Sequence, residues 1–296
     1  MRKSRAGPIY PQITQITPIS NLRESAKSVD KTEWGIGVFD SGLGGLTVVK
    51  ALRRALPHEE IVYLGDTARL PYGTKSAEVI RRFAFQDIRF LIARKVKVVV
   101  VACHSASSVA LDDLQKRYRL PIVGVIDPGA RAAVRSTRNN RIGVIGTNLT
   151  IASGAYERAI RRYRSDVEIV ARSTPLFVPL AEEGWLDNEV ARQTALTYLK
   201  PLAAEGIDTL LLGCTHYPLL KRVIARVLGR GIKLVDSAEE TAHRVREILE
   251  SGSLMVGKRR PSHRFYLSDL TPNFREVCSR FLGGPITDVI RATIPE

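Results

Sequence analysis

Short runs of β-branched and aliphatic residues alternate along the chain with longer stretches in which apolar residues recur at helical spacing. The first four runs span residues 36–39, 61–65, 96–102 and 121–126. The same order returns at residues 141–145, 168–171, 209–213 and 233–236. Helical patterns lie between the runs, for example at residues 46–56, 76–95, 107–119, 188–205 and 218–228. This βαβ alternation predicts an α/β protein with mainly parallel sheets flanked by helices.

The two sets of four runs resemble each other. Gly-Ile-Gly-Val-Phe-Asp-Ser begins at residue 35 and Arg-Ile-Gly-Val-Ile-Gly-Thr at residue 141, an offset of 106. Cys103 aligns with Cys214 at an offset of 111, and Asp127, expected to close the fourth run, aligns with Asp236 at an offset of 109. This near-constant spacing indicates an internal duplication and predicts two pseudo-twofold-related α/β domains.

Several polar side chains directly follow the predicted strands. They are Asp40, Ser41, Cys103, Thr147 and Cys214. Ligands of open α/β sheets bind beyond the carboxyl ends of the strands. Two facing halves would therefore share one cleft, with the thiols of Cys103 and Cys214 presented from opposite sides.

The sequence Asp-Ser-Gly-Leu-Gly-Gly at residues 40–45 joins a strand to a helix. Its glycines allow close backbone approach, and amides at a helix start bind anions. Neither the dinucleotide-binding spacing nor a P-loop Gly-Lys-Ser/Thr is present, so a carboxylate ligand fits better than a nucleotide. The alternative is a tight turn in which Asp40 or Ser41 caps the helix.

Cys103 and Cys214 both lie between a strand and a helix, where the helix N-terminus is expected to lower a thiol pKa. Hydroxyl and imidazole side chains follow them, namely His104, Ser105, Thr215 and His216. A buried structural thiol is the usual role of a single cysteine, but a pair related by the repeat favours chemistry. Cys278, within the helical pattern of residues 273–282, is expected to be structural.

Zinc is the rival interpretation of these cysteines and histidines. Adjacent Cys-His and Cys-x-His spacings differ from the usual zinc-ligand patterns, so no metal site is predicted.

Two further loops, at residues 66–73 and 178–184, follow the second run of each half. Because the two loops occupy corresponding positions in the repeat, both are expected to line the cleft. The alternative for the first loop is a Pro/Gly turn in which Tyr72 serves only packing, and for the second an ordinary helix cap with surface glutamates.

Composition narrows the class of protein. The 296 residues carry three cysteines, which argues against a disulfide framework and favours a reducing, cytoplasmic compartment. No apolar run is long enough to cross a membrane. In residues 1–33, no secretion signal is predicted, and the polar composition predicts a mobile tail. The net charge of +15 would suit nucleic acid, but no base-reading motif accompanies it. Nucleic-acid binding remains the alternative from another class.

The motifs together resemble glutamate racemases of the aspartate/glutamate racemase superfamily. In order, they are Asp-Ser-Gly-Leu-Gly-Gly, Pro-Tyr-Gly, Ala-Cys-His-Ser-Ala-Ser, Val-Pro-Leu-Ala-Glu, Gly-Cys-Thr-His-Tyr-Pro-Leu-Leu and Asp-Ser-Ala, from about residue 34 to residue 284. The resemblance implies cofactor-independent interconversion of L- and D-glutamate, which supplies peptidoglycan synthesis and so maintains the cell wall and cell shape. It implies a first domain of residues 34–132 plus 237–296 and a second of residues 133–236, and a homodimer is compatible with it.

The resemblance also assigns site residues. Cys103 and Cys214 match the two catalytic acid/base thiols, Asp40 and His216 match their assisting groups, and Glu182 would orient His216. The substrate would be held by Asp40, Ser41, Tyr72, Gly73, His104, Ser105, Thr147, Thr215 and His216. The family's usual Cys-Asn-Thr reads Cys-His-Ser here, and His104 replaces an amide that contacts substrate. A racemase for aspartate or another amino acid therefore stays open.

The chemistry expected from the residues agrees with this role. Inverting a Cα requires removal of a proton from one face and delivery of a proton to the other, which two opposed acid/base groups achieve without turning the substrate. A thiol and a thiolate suffice, and the scheme needs no pyridoxal phosphate. The carbanion's charge would be met by amides and hydroxyls in a water-poor cleft.

Overall fold

Strands and helices alternate through the computed structural model, which describes residues 31–295; most of the predicted tail at residues 1–33 lies outside this range. Strands β1–β10 are, in order, Gly35–Asp40, Ile61–Gly65, Val96–Val101, Ile122–Gly124, Arg141–Gly146, Glu168–Ser173, Thr209–Gly213, Lys233–Asp236, Arg264–Leu267 and Val289–Arg291. Helices α1–α11 are, in order, Leu46–Ala55, Ala77–Ile92, His104–Arg117, Ile126–Ser136, Asn148–Ala152, Ala155–Tyr163, Phe177–Glu182, Glu189–Ala204, Lys221–Leu228, Ser237–Ser251 and Phe274–Leu282. Short 3-10 helices span Lys31–Glu33, Thr67–Arg69, Tyr72–Thr74 and Tyr217–Leu220.

The strands form two parallel sheets. One has the order β10-β9-β2-β1-β3-β4 and the other the order β6-β5-β7-β8. All the neighbouring strands in both sheets are parallel, which confirms the predicted fold class. β1 lies between β2 and β3 as β5 lies between β6 and β7, so the order of the first four strands repeats. This repeated order agrees with an internal duplication.

Helices cover both faces of each sheet. In the six-stranded sheet, α1, α10 and α11 pack on one face, and α2 and α3 pack on the other. In the four-stranded sheet, α8 and α9 cover one face, and α4 and α6 cover the other. Strands buried on both sides have nearly continuous apolar sequences, which explains why the central strands stand out in the sequence.

The fourth predicted strand is shorter than expected. β4 ends at Gly124, and α4 begins at Ile126, with Pro128 in its first turn, where the missing N–H costs nothing. Asp127 therefore lies inside a helix, whereas Asp236 ends β8 and accepts a hydrogen bond from the Ala238 amide at 2.9 Å. The expectation that Asp127 closes a strand, as Asp236 does, is wrong.

The chain beyond α10 returns to the six-stranded sheet. β9 pairs with β2, and β10 extends the sheet by one strand. Residues 31–295 form one compact unit, so the division into domains at residues 132 and 237 stays a prediction. Within this described range, no helix is long and apolar enough to cross a membrane.

Candidate active site

A small cavity lies where strands of both sheets end. Its volume is about 30 Å³, which is room for about one water molecule. It is lined by Ser41, Gly42, Leu70, Pro71, Tyr72, Gly73, Cys103, His104, Ser105, Thr147, Val178, Glu182, Cys214, Thr215 and His216. Every predicted site residue except Asp40 is in this set, and Asp40 is fully buried at the end of β1. The structure therefore brings together residues that the sequence places far apart.

Cys103 follows β3 and immediately precedes α3. Burial raises the pKa of its thiol to about 12, and the charge of Asp40 adds to this effect. The Ala106 amide and the Ser41 hydroxyl oppose the rise in pKa but do not cancel it. The expected lowering of the thiol pKa by the helix N-terminus is therefore wrong for Cys103, which keeps its proton at neutral pH.

Cys214 has a different partner. Its Sγ lies 3.7 Å from His216 Nδ1, and His216 Nε2 lies 3.0 Å from Glu182 Oε1 at the end of α7. Burial alone would lower the pKa of His216, but the hydrogen bonds with Cys214 and Glu182 outweigh it and raise the pKa to about 10. His216 is therefore a cation at neutral pH that donates one N–H towards the sulfur and the other to the carboxylate.

Asp40 connects the two halves behind the cavity. Its Oδ2 accepts a hydrogen bond from the Gly42 amide at 3.1 Å, and its Oδ1 lies 3.5 Å from the donating Thr215 hydroxyl. Burial raises the pKa of Asp40, while the His216 charge and the amides of the glycine loop hold the rise back. Asp40 therefore contacts the glycine loop of the first half and Thr215 of the second.

Two glycines allow the halves to approach closely. A Cβ at Gly44 would overlap Thr215 and His216, and a Cβ at Gly73 would lie 2.6 Å from the Cβ of Thr147. Contacts below 3.0 Å are not seen for real Cβ atoms. Loops from the first half therefore lie directly against site residues of the second half because both positions lack a side chain.

Hydroxyl groups meet on one side of the cavity. Ser105 Oγ lies 2.9 Å from Thr147 Oγ1, which in turn lies 2.9 Å from Thr150 Oγ1. Ser105 belongs to α3, Thr147 caps the N-terminus of α5, and Thr150 lies within α5. This group joins both halves and can donate hydrogen bonds to a ligand carboxylate.

Tyr72 and His104 line the cavity, yet part of each side chain is used elsewhere. The Tyr72 hydroxyl lies 2.5 Å from Asp66 Oδ2 and 2.9 Å from Asp87 Oδ2, which leaves its backbone to serve a ligand. His104 Nε2 lies 3.1 Å from Ser237 Oγ, and its buried Nδ1 has no hydrogen-bond partner among the described residues. Burial lowers the pKa of His104 to about 3, so its ring is neutral.

The described residues also bear on the zinc alternative. Across residues 31–295, no group of three or more His, Cys, Asp or Glu side chains is arranged to hold a metal ion. Cys214 and His216 instead contact each other directly, and Glu182 completes a hydrogen-bonded row with them.

The sequence and the fold match known racemases. A family model described as Asp/Glu/hydantoin racemase matches residues 36–245. The chain belongs to this family. A relative named glutamate racemase from Geobacter metallireducens is 55% identical over 260 residues, which cover 88% of this chain and 96% of the relative. Another from Neisseria meningitidis serogroup A is 51% identical over 84% of this chain and 92% of the relative.

Solved structures of racemases agree with this family membership. Glutamate racemase RacE1 from Bacillus anthracis superposes with a TM-score of 0.85 at 40% identity, over 88% of this chain and 98% of that chain. Glutamate racemase from Francisella tularensis, solved with D-glutamate, gives a TM-score of 0.84 at 37% identity, over 89% of this chain and 98% of that chain. The predicted resemblance to glutamate racemases and the prediction of an amino-acid racemase, an isomerase, are confirmed.

The racemase fold contains supporting residues that the sequence did not reveal. Arg280 of α11 donates a hydrogen bond to the Glu182 backbone oxygen at 2.5 Å, and the Phe281 ring packs edge-on against His216 with 5.1 Å between ring centres. Asp87, whose carboxyl group contacts the Tyr72 hydroxyl, is a polar residue on the buried side of α2. A polar residue at an apolar helical position was the one local signal available for these contacts.

Proposed function

We propose that this protein is a cofactor-independent glutamate racemase that interconverts L- and D-glutamate by proton transfer at Cα between Cys103 and Cys214. One observation carries the proposal: two cysteines from corresponding positions of the two halves line the same cavity. The curated relatives bear this activity as their name, and related structures were solved with D-glutamate and with L-glutamate.

The thiols would act on opposite faces of the substrate. A thiolate at Cys214 removes the Cα proton from one enantiomer, and the thiol of Cys103 delivers its proton to the other face. Cys214 gains a proton and Cys103 loses one, so the negative charge moves from the first sulfur to the second, and Cα ends with one hydrogen, as it began, after passing through a carbanion. The reverse reaction uses the same groups in exchanged roles.

The surroundings of each sulfur support these roles. The imidazolium of His216 next to Cys214 stabilises a thiolate there, and Glu182 stabilises the imidazolium. Cys103 keeps its proton because it is buried near a carboxylate. Asp40 and His216 can then carry the proton that resets the two thiols between turnovers.

The substrate would be held by amides and hydroxyls from both halves. The glycine loop at residues 40–45, the backbone of Tyr72 and Gly73, and the hydroxyls of Ser105, Thr147 and Thr215 all surround the cavity or its base. Such preorganised donors stabilise the charge that develops on the α-carboxylate. Because the cavity holds about one water, glutamate can enter only when the surrounding loops or sheets move apart.

The proposal extends to the biological role of the reaction, its compartment and the domains that form the site. The reaction would supply D-glutamate for peptidoglycan synthesis in the cytoplasm, with the site between domains of residues 34–132 plus 237–296 and residues 133–236. A homodimer is compatible with this scheme. The basic charge is then a solvated surface, and retention on DNA together with no amino-acid turnover would favour the nucleic-acid alternative.

Polarimetry on the purified protein with L-glutamate and no added cofactor tests the proposal. The optical rotation should decay to zero, and in heavy water the D-glutamate should carry deuterium while unreacted L-glutamate stays largely protiated. Equal early labelling of both enantiomers would indicate a single base. EDTA should leave the rate unchanged, and loss with EDTA followed by recovery with zinc would contradict the metal-free mechanism.

A further inference from the structure

A buried polar cluster lies directly behind the loop that contributes Tyr72 and Gly73 to the cavity. Asp66 and Asp87 in this cluster are completely buried. The Tyr72 hydroxyl lies between them, 2.5 Å from Asp66 Oδ2 and 2.9 Å from Asp87 Oδ2. The cluster therefore ties a cavity-lining residue to two carboxyl groups that do not themselves line the cavity.

One guanidinium group serves both carboxyl groups. Arg69 Nε donates to Asp66 Oδ2 at 2.6 Å, Arg69 Nη2 donates to Asp87 Oδ1 at 3.0 Å, and Arg69 Nη1 donates to Gln86 Oε1. The Arg69 guanidinium also lies 4.0 Å from the centre of the Phe83 ring. If both carboxyl groups were ionised, the buried cluster would carry a net charge of −1, which is costly away from water.

The hydrogens around Tyr72 can be counted. A tyrosine hydroxyl has one hydrogen, so it can donate to one of its two carboxylate neighbours. With both carboxyl groups ionised, the other oxygen–oxygen contact would have no hydrogen between its atoms and would be repulsive. A second hydrogen on one carboxyl group removes the repulsion and makes the cluster neutral.

The second hydrogen belongs on Asp87. Asp66 accepts from Arg69, from Tyr72 and, through Oδ1, from the Ser268 hydroxyl at 3.0 Å. Asp87 has one donor besides Tyr72, the Arg69 guanidinium. Burial raises the pKa of Asp87 well above its ordinary value, and the charge of Asp66 adds to the rise, while Arg69 opposes it. The row then runs from Asp87 Oδ2–H to the Tyr72 oxygen and from the Tyr72 O–H to Asp66.

The groups that face Asp87 come from several elements. The segment after β2 contributes Asp66, Arg69 and Tyr72, and β1 contributes the more distant charge of Asp40. Gln86 of α2 and Ser268 after β9 contact the partners of Asp87, namely Arg69 and Asp66. Arg69 is the one cation in this set and is shared between Asp66 and Asp87. A neutral Asp87 is the arrangement in which the set carries no uncompensated charge except that of Asp40.

We propose that Asp66, Arg69 and Asp87 are positioning residues that hold the loop of Tyr72 and Gly73 in place through a hydrogen on Asp87. This inference rests on the proposed racemase function, because it assigns a purpose to the loop. Gly73 packs against Thr147 without room for a side chain, so a small shift of the loop displaces backbone groups from the cavity. Displacements of about 1 Å can lower activity by about 100-fold.

The test compares Asp87→Asn with Asp87→Ala. An asparagine amide donates to the Tyr72 oxygen as the protonated carboxyl does, and its oxygen still accepts from Arg69. Asp87→Ala removes one hydrogen-bond partner from Tyr72 and one from Arg69, and should lower kcat/KM by about tenfold or more. Asp87→Asn should recover most of the loss, to within about threefold of the wild type. For the wild type and both variants, kcat and KM are determined separately at pH 7.

Thermal unfolding between pH 5 and pH 8 supplies a reading independent of turnover. Asp87 is protonated in the folded chain and ionised in the unfolded chain above about pH 4, so the unfolded chain binds fewer protons and wild-type stability falls as pH rises towards the raised pKa of Asp87. Asp87→Asn lacks this dependence. The unfolding temperature of Asp87→Asn minus that of the wild type should therefore increase by roughly 2 °C for each unit by which pH is raised.

Two results would overturn the proposal: an Asp87→Asn variant as impaired as Asp87→Ala, or a midpoint difference from the wild type that is constant with pH. If Asp87→Ala does not fold, the Asp87→Asn pH series decides alone. A wild-type protein that does not racemise glutamate would instead contradict the proposed function, and the unfolding series would still report where the hydrogen resides.

Discussion

The two sides of the cavity occupy corresponding positions in the repeated strand order but differ in electrostatics. Cys103 and Cys214 follow corresponding strands of the repeat, β3 and β7, and both are buried. Cys103 lies near the carboxylate of Asp40, which helps keep its thiol protonated. Cys214 lies 3.7 Å from a cationic His216. The repeat thus supplies corresponding positions, and the residues around them place a carboxyl group near one sulfur and an imidazolium beside the other.

This difference suits a reaction that has no preferred direction. The enantiomers have equal free energies in water, so kcat/KM must be equal in both directions however unequal the two thiols are. An unequal pair still has an advantage in the proposed mechanism, because an imidazolium stands beside one sulfur and a carboxyl group near the other. The asymmetry should therefore appear as different kcat and different KM values in the two directions. It should also appear in the enantiomer that each thiol deprotonates.

Replacement of either thiol tests the comparison most severely. Cys103→Ala and Cys214→Ala should each lower racemisation by about 1,000-fold or more, because each face of Cα has one acid/base group. Each variant keeps one base, so each should exchange the Cα hydrogen of one enantiomer with heavy water, and the two variants should act on opposite enantiomers. Proton NMR of each enantiomer measures this exchange.

Cys278 provides the matched control for these replacements. It is a buried thiol in α11 that does not line the cavity. Cys278→Ala should therefore change kcat/KM by less than about threefold, although it removes core packing. Near-full turnover in both directions by Cys103→Ala or Cys214→Ala, or exchange of the same enantiomer by both, would reject the assignment of one thiol to each face.

Removal of the charge behind His216 should have a smaller effect, confined to the Cys214 side. Glu182→Gln keeps an oxygen for His216 Nε2 but removes the charge that helps raise the His216 pKa to about 10. The high-pH fall in kcat/KM should move to lower pH, and activity near pH 8 should drop by about tenfold. Glu183→Gln, an exposed neighbour with the same charge change, is the control.

The pH dependence of the free energy of unfolding should also reflect the charge of His216. The pKa of His216 is higher in the folded chain than in the unfolded chain, so its stabilising contribution is complete below about pH 6.5 and is lost as pH rises towards 10. Glu182→Gln should shorten that window from its high-pH side. Identical pH profiles for Glu182→Gln and Glu183→Gln would show that Glu182 does not control the charge of His216.

The sequence predicted the buried strands best. β2, β7 and β8 have the bounds expected from their apolar runs, Ile61–Gly65, Thr209–Gly213 and Lys233–Asp236. β9 and β10 were missed, since they are short and lie towards the edge of the sheet, where alternating or exposed residues give no continuous apolar run. The local pattern thus revealed the repeat but not the strands that close the first sheet from the far end of the chain.

For the site, the sequence predicted positions better than electrostatics. The residues following strand ends were found because the carboxyl edge of a parallel sheet is a property of the fold. The pKa of Cys103 was predicted in the wrong direction, because depth of burial cannot be seen from a helix start. The contacts of Asp87 with Tyr72 and of Arg280 with Glu182 join different elements of the chain, for which no local pattern exists.

The smallest expected effect concerns His104, which lines the Cys103 side of the cavity. Its ring is neutral, and its Nδ1 has no partner among the described residues, so it is available to a substrate. His104→Asn shortens the side chain and enlarges the cavity, and should raise the ratio of kcat/KM for glutamate over aspartate by about threefold to tenfold. Ser237→Ala removes only the outer partner of the ring and should change this ratio less. An unchanged ratio in His104→Asn would mean that the side chain does not distinguish the two acids, and the asymmetry of the site would then reside in the thiols and their partners alone.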